Sequence, residues 1–241
     1  MVPGDHGGSD APRADGSDGP DAPSHWVNWH APYEDPASNL SLRLRTVQGM
    51  VRQRLDAVPP GPAGPIRVIS LCAGQGRDVI DVVAEHPHRA EVCALLVEQD
   101  PALVAFARAR ADAAGVGDLV RIVEGDASLS SWYAELVPAD LVLVCGIFGN
   151  ISAGDISATI EALPSFCRPG AHVVWTRHRR PPDATPAIRS SFAAAGFTEL
   201  AFAAPEGTVM AVGHHRYDGE TTAFDPGRRL FDFVGDGFMP A

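Results

Sequence analysis

From residue 66 to residue 214, short apolar runs alternate with helical patterns, and this alternation constrains the fold more than any other feature. Strand-like runs at 66–72, 91–98, 119–124 and 139–145 are followed by helical stretches at 77–89, 101–114, 130–136 and 155–167. A strand at 171–176 and a helix at 185–195 then precede two apolar runs, 197–203 and 207–214. Parallel neighbours need a crossover between them, so consecutive strand–helix units predict a parallel, doubly wound sheet. The link Ala204-Pro-Glu-Gly207 is too short to hold a helix, so the last two runs predict an antiparallel hairpin. The expected class is α/β, a mostly parallel sheet closed by a terminal antiparallel β-hairpin.

Upstream, Leu40, Leu44, Val47, Val51, Leu55 and Val58 recur at spacings of three and four, which is one apolar helix face. Asp35-Pro36 or Ser38 opens it and Pro59-Pro60-Gly61 stops it, giving an N-terminal helical cap. The chain of 241 residues suits one sizeable domain with appendages. Residues 1–24 carry five aspartates among Gly, Pro and Ser and are expected to be a disordered acidic tail. Residues 25–61 form the cap or lid region, 62–217 the main domain, and 218–241 an irregular tail with one apolar patch, Leu230-Phe-Asp-Phe-Val234.

The formal net charge is −11 and no lysine is present, which argues against nonspecific nucleic-acid binding through phosphates. No apolar run approaches the ~20 residues of a membrane span. The N-terminus has neither the cationic start nor the apolar core of a signal peptide. Cys72, Cys93, Cys145 and Cys167 are widely spaced, which suits reduced thiols in a cytoplasmic protein. A monomer or a homodimer is compatible with this composition.

Chemistry concentrates in Ile66-Arg-Val-Ile-Ser-Leu-Cys-Ala-Gly-Gln-Gly-Arg-Asp78, a buried strand, a glycine turn and a helix start. Gly74 and Gly76 allow a tight turn and close approach of a ligand. The next strand ends in Glu98-Gln99-Asp100, and a carboxylate there can accept from both hydroxyls of a ribose. The pattern predicts a nucleoside cofactor. A nicotinamide dinucleotide would want a third glycine where Val79 stands.

Over residues 66–217 the chain resembles the class I S-adenosylmethionine-dependent methyltransferases, whose domain is Rossmann-like. Their glycine motif looks like Ser70-Leu-Cys-Ala-Gly-Gln-Gly76, their ribose acid like Glu98, and their adenine-contact motif like Gly125-Asp126-Ala127. Their fourth-strand motif looks like Asp140-Leu-Val-Leu-Val-Cys-Gly146. The resemblance implies S-adenosyl-L-methionine as cofactor, held by Cys72, Ala73, Gly74, Gly76, Arg77, Glu98, Gln99, Asp126, Ala127 and Cys145. Two positions depart from it: Ser70 replaces an acid and Cys72 a glycine. Arg77 is then the candidate partner for the methionine carboxylate.

Acceptor chemistry belongs at the C-terminal ends of the strands. Gly146-Ile-Phe-Gly-Asn150 presents Asn150 and Phe148, or is simply a turn packed on its helix. Thr176-Arg-His-Arg-Arg180 supplies His178 as a base and Arg177 for an acidic acceptor, or is a solvated basic loop. Trp26, Trp29, His30 and Tyr33 form a lid over the acceptor, or anchor the first helix. His214 and His215 read as structural. No metal is expected. The prolines of the exocyclic-amine DNA methyltransferases are absent after the fourth strand, so a small-molecule acceptor is expected, methylated on oxygen or nitrogen. A non-methylating binder or cyclase of the same fold is the alternative, and an NAD(P)-dependent oxidoreductase a lesser one.

Overall fold

The computed structural model describes residues 31–57, 64–206 and 208–234. The acidic tail, Trp26, Trp29, His30 and Val58 lie outside the described residues. Ser38, in an extended conformation, accepts the Ser41 N–H at 3.1 Å and so starts helix α1, Asn39–Asp56. Leu40 and Leu44 are only half-buried; the covered stripe is Arg43, Val47, Met50, Val51, Arg54 and Leu55. The buried face is thus rotated from the purely apolar one, because two arginines on it find partners inside the protein.

Strand β1 (Ile66–Leu71) leads through the glycine turn into α2 (Arg77–Glu85), and β2 (Val92–Glu98) leads into α3 (Pro101–Ala113). The expected helix over 77–89 stops at Glu85, because Pro87 holds His86 extended at ψ 135°. After β3 (Val120–Glu124) comes a 3-10 turn, Ser130–Tyr133, in place of the helix expected over 130–136. Strand β4 (Ala139–Val144) is followed by α4 (Ala153–Ala162), which Ser152 caps by accepting the Asp155 N–H. The helix expected to reach 167 ends earlier in a 3-10 turn carrying Pro164, and Cys167 opens β5 (Cys167–His178). Helix α5 (Thr185–Ala194), β6 (Phe197–Ala203) and β7 (Met210–Tyr217) complete the order.

The seven strands line up as β3-β2-β1-β4-β5-β7-β6, parallel from β3 to β5, with β7 antiparallel to both its neighbours. Every residue of β4 is buried, as expected for a strand covered on both faces. Alternate residues face opposite layers. Val68, Leu141, Val174 and Val212 pack with α1, α2 and α3. Ile69, Leu71, Val142, Val144 and Trp175 pack with α4, α5 and the C-terminal segment. That segment is not a loose tail, since Leu230 and Phe231 are each only 2% exposed. It is pinned by antiparallel bridges Leu129–Arg229 and Ile151–Phe233. The chain winds outward from β1 to β3 and then crosses back to β4, so the switch point lies between β1 and β4. Open α/β sheets bind ligands at the strand C-termini beside such a switch.

Candidate cofactor and acceptor site

The turn after β1 runs through left-handed backbone at Cys72 (φ 48°), Gly74 (φ 55°) and Gly76 (φ 66°). Gly76 is demanded by packing as well: a Cβ there would lie 2.7 Å from Ile80 Cδ1 and 2.9 Å from Leu96 Cδ2. Close seating of α2 on β2 therefore fixes this glycine. Cys72 is the one non-glycine residue with positive φ among the described residues.

Glu98 binds the turn directly. Its Oε2 accepts the Gly74 N–H at 2.7 Å, and its Oε1 accepts the N–H groups of Gln99 and Asp100 at 2.8 and 2.9 Å. At 8% exposure, burial raises its pKa, and those three N–H groups work against the rise. A carboxylate offers about four acceptor sites, so one remains toward a ligand. Ala73 donates to Val97 O at 3.0 Å, which closes the turn against β2. Gln99 is exposed, and Asp100 caps α3.

After β3, Asp126 Oδ1 accepts from the Ser128 N–H at 3.0 Å and from its hydroxyl at 2.6 Å. Oδ2 pairs with Arg229 at 3.0 Å. Burial opposes the Asp126 charge, yet Ser128 and Arg229 hold its pKa below the usual carboxylate range. Ala127 is buried and its carbonyl accepts the Tyr133 hydroxyl at 2.8 Å. The Trp132 indole covers Gly125, where a Cβ would sit 2.5 Å from the ring. Trp132 and Arg229 were missed in the sequence, because nothing local marks residues that meet the β3 loop from elsewhere.

Arg77 does not face the crevice as expected. Its guanidinium donates to Gln75 Oε1 at 2.6 Å and Glu34 Oε1 at 2.8 Å, and it lies over the rings of Tyr33 and Phe106. The buried cation is Arg43, which donates to the Tyr33 hydroxyl at 2.7 Å. A charged residue four positions before Val47 on a buried stripe was the available signal. Burial raises Asp78 to about 6, with Arg43 the main opposing influence. Cys145 is half-buried; its Sγ lies 3.9 Å from Val174 O, and burial pushes its thiol up.

The β4 and β5 ends meet through Arg177, which donates to Phe148 O at 2.5 Å. Phe148 itself is 0% exposed and packs 6.0 Å from Trp175, so it is a core residue and not an acceptor contact. Asn150 Nδ2 donates to Gly146 O at 2.7 Å, so this side chain braces its own loop, while its backbone carbonyl accepts the Val234 N–H. His178 has neither ring nitrogen hydrogen-bonded, and burial, followed by Arg177 and Arg180, lowers its pKa. The shift favours its neutral form. His214 and His215 are buried in the sheet, pairing with His172 and Trp175. Among the described residues no group of three or more His, Cys, Asp or Glu is placed to hold a metal, and no helix is long and apolar enough to cross a membrane.

The model of a family described as "Putative methyltransferase" matches residues 39–191, more than half of the chain. The chain belongs to that family. No curated protein matches it. The magnesium protoporphyrin IX methyltransferase of Synechocystis PCC 6803, solved with bound SAM, has a TM-score of 0.60 at 16% identity, over 80% of this chain and 91% of that one. An O-methyltransferase family protein from Burkholderia thailandensis gives 0.55 at 18% identity; 75% of this chain spans 58% of that one. The cyclase SpnF gives 0.57 at 14% identity, over 76% and 85% of the two chains. At such identities the likeness is one of fold, and that fold is Rossmann-like. Family and fold together bear out the class I resemblance and give no support to the dinucleotide alternative.

Proposed function

We propose that the protein is an S-adenosylmethionine-dependent methyltransferase acting on a small-molecule acceptor, with in-line transfer to oxygen or nitrogen. One observation carries the cofactor assignment: Glu98 is tied to Gly74 at the ends of β2 and β1, beside the switch to β4. The crevice also suits a polar ligand, because Ser70 Oγ and Asp78 Oδ1 are buried there without a hydrogen-bond partner. Glu98 would accept from one ribose hydroxyl through its remaining acceptor position, Gly74 and Gly76 would admit the nucleoside, and Asp126 and Ala127 would flank the adenine. Cys72, Ala73, Gln99 and Cys145 would line the same crevice.

Bound there, the cofactor supplies a methyl carbon on a sulfonium centre. Positive charge disperses as that carbon is displaced, so the chain's own task is alignment and exclusion of water. His178, unbonded and with its neutral form favoured, can take the proton of an acceptor hydroxyl or ammonium group. Arg177, Arg179 and Arg180 make the rim of β5 basic, which favours an acceptor with an anionic group. Tyr33, in the turn before α1 with its hydroxyl held by Arg43, would contact the acceptor.

Calorimetric titration with S-adenosylhomocysteine, NAD and NADP tests this. Saturable one-to-one binding of S-adenosylhomocysteine alone supports it, and selective dinucleotide binding ends it. A second reading, a non-methylating catalyst of the same fold, has the likeness to SpnF in its favour. Release of S-adenosylhomocysteine with an acceptor, followed by mass spectrometry, separates the two.

A further inference from the structure

At the C-terminal end of β5 the fold gathers cations without counter-ions. Arg177, Arg179 and Arg180 are half-buried, and none of them forms an ion pair among the described residues. Arg177 spends Nη1 on Phe148 O at 2.5 Å, and Arg179 spends Nη2 on Thr208 O at 2.9 Å. The Nε of each is buried and has no partner, and so are both ring nitrogens of His178 between them. The nearest acid along the chain, Asp183, turns its Oδ1 to the Thr185 N–H and hydroxyl, at 2.9 and 2.8 Å. Arg177 and His178 both lie against the loop after β4: a Cβ on Gly149 would stand 3.4 Å from Arg177 Nη1 and 3.9 Å from His178 Cδ2. Parallel strands β4 and β5 thus bring the cluster to the edge of the sheet where ligands bind.

An arginine bonded through Nη1 keeps its Nε–Nη2 edge, whose two parallel N–H groups match the two oxygens of a carboxylate. This protein uses that edge elsewhere. Arg110 holds Asp81 through it at 2.6 and 2.9 Å, and Arg189 holds Glu199 at 2.6 and 2.7 Å. At Arg177 no group of the described residues meets that edge, although its Nε is shielded from water. Burying a charged donor without a hydrogen bond is costly, and a fold retains one where a ligand satisfies it. We propose that Arg177 grips a two-oxygen anion of the acceptor, a carboxylate or a phosphate, through Nε and Nη2, with Arg179 adding charge from the rim. Both gripping oxygens are then engaged, so the atom that receives the methyl group is a different one, beside His178. The acceptor class is thus a small molecule with an oxyanion close to a hydroxyl or amino group. This rests on the methyltransferase reading above and adds to it the group by which the acceptor is recognised.

The test uses the protein loaded with S-adenosylhomocysteine and three probes: benzoate, inorganic phosphate and neutral benzamide. Calorimetry reads affinity, and the His178 ring protons, assigned by NMR with His178→Gln, report where a probe sits. Benzoate or phosphate should bind with a dissociation constant on the order of 1 mM and shift the His178 signals. Benzamide should bind at least ~10-fold more weakly. Arg177→Lys keeps the charge and loses the paired edge, so it should weaken the anion by about 10-fold. A preference for benzoate over phosphate makes the group a carboxylate, and the reverse makes it a phosphate. Equal affinity for benzoate and benzamide, or binding of neither anion, would overturn the inference on wild-type protein alone and leave the cofactor site intact. Anion binding that survives Arg177→Lys undiminished, or that leaves His178 unmoved, would overturn it as well. A protein that does not take up S-adenosylhomocysteine would remove the methyltransferase reading itself, and this inference with it.

Discussion

Arg229 ion-pairs with Asp126 at 3.0 Å, so the C-terminal segment is fastened to the loop that follows β3. The same guanidinium donates to Ser128 Oγ at 2.7 Å, and the Ser130 N–H donates to Arg228 O at 2.9 Å. A segment 101 residues away in sequence therefore helps to shape the β3 end of the crevice.

Arg229→Ala is expected to cost little stability, since the Arg229 and Asp126 side chains are 47% and 34% exposed. Exposed pairs contribute at most about 1 kcal/mol. Affinity for S-adenosylhomocysteine should nevertheless fall, by no more than about 5-fold, because Asp126 loses a partner that orders it. Calorimetry at low and high salt checks this. A loss that persists undiminished in high salt would contradict an electrostatic origin.

Cys72 occupies left-handed backbone at φ 48°, which costs a non-glycine residue about 1–2 kcal/mol. Cys72→Gly removes that strain while adding chain entropy to the unfolded state, so it should change stability by less than about 1 kcal/mol. Cys72→Val adds a β-branch to the same backbone and should destabilise by ~2 kcal/mol or more. Urea unfolding of the two variants gives the comparison. A valine variant as stable as the glycine variant would show that the backbone relaxes out of the left-handed region.

These two residues also mark what the sequence could and could not disclose. The parallel order, the hairpin and the crevice acid are local matters: an apolar run, a link of four residues, a glycine turn, a carboxylate at a strand end. The rotation of α1 is not local. Arg43 and Arg54 enter its buried face because Tyr33 accepts from one and Asp140, 86 residues away, accepts from the other. Phe148 has the same history. A glycine-flanked aromatic reads as a surface contact until Trp175 and the returning C-terminal segment cover it. Asp78 sat beside the glycine motif in plain view, but only burial of its oxygen distinguishes it from an ordinary first-turn acid.

His172, His214 and His215 are each lowered to about 4, chiefly by burial, with Arg54 acting on the first two and Glu199 opposing the shift at His215. They are neutral in the fold, whereas the unfolded chain takes up protons near pH 6.5. Their contribution is therefore complete above about pH 6.5 and is lost as the pH falls toward 4. Asp78, raised to about 6, works in the opposite sense, since the folded state protonates it first. Three histidines against one carboxylate leave a net uptake of up to two protons on unfolding. That corresponds to a fall of up to ~2.7 kcal/mol per pH unit. Urea midpoints measured at pH 7.5, 6 and 5 should drop steeply over the last step. A flat profile would mean that these rings are charged or solvated in the native state.

Glu98 braces the fold and is the proposed ribose acceptor, and Glu98→Gln separates an acceptor-only group from one that also carries donors. The carboxylate accepts three backbone N–H groups through its two oxygens. A glutamine has one acceptor oxygen, so its NH2 must face either Gly74 or the Gln99–Asp100 pair, donor against donor. One side of the turn is then left without a partner while buried, a loss of about 1–3 kcal/mol in stability. The turn that admits the nucleoside loosens with it, and S-adenosylhomocysteine affinity should fall by ~10-fold or more. Unfolding and titration of the same preparation measure both quantities. A variant with wild-type stability and lost affinity would confine Glu98 to the ligand. One with lost stability and wild-type affinity would take it out of the ribose site altogether.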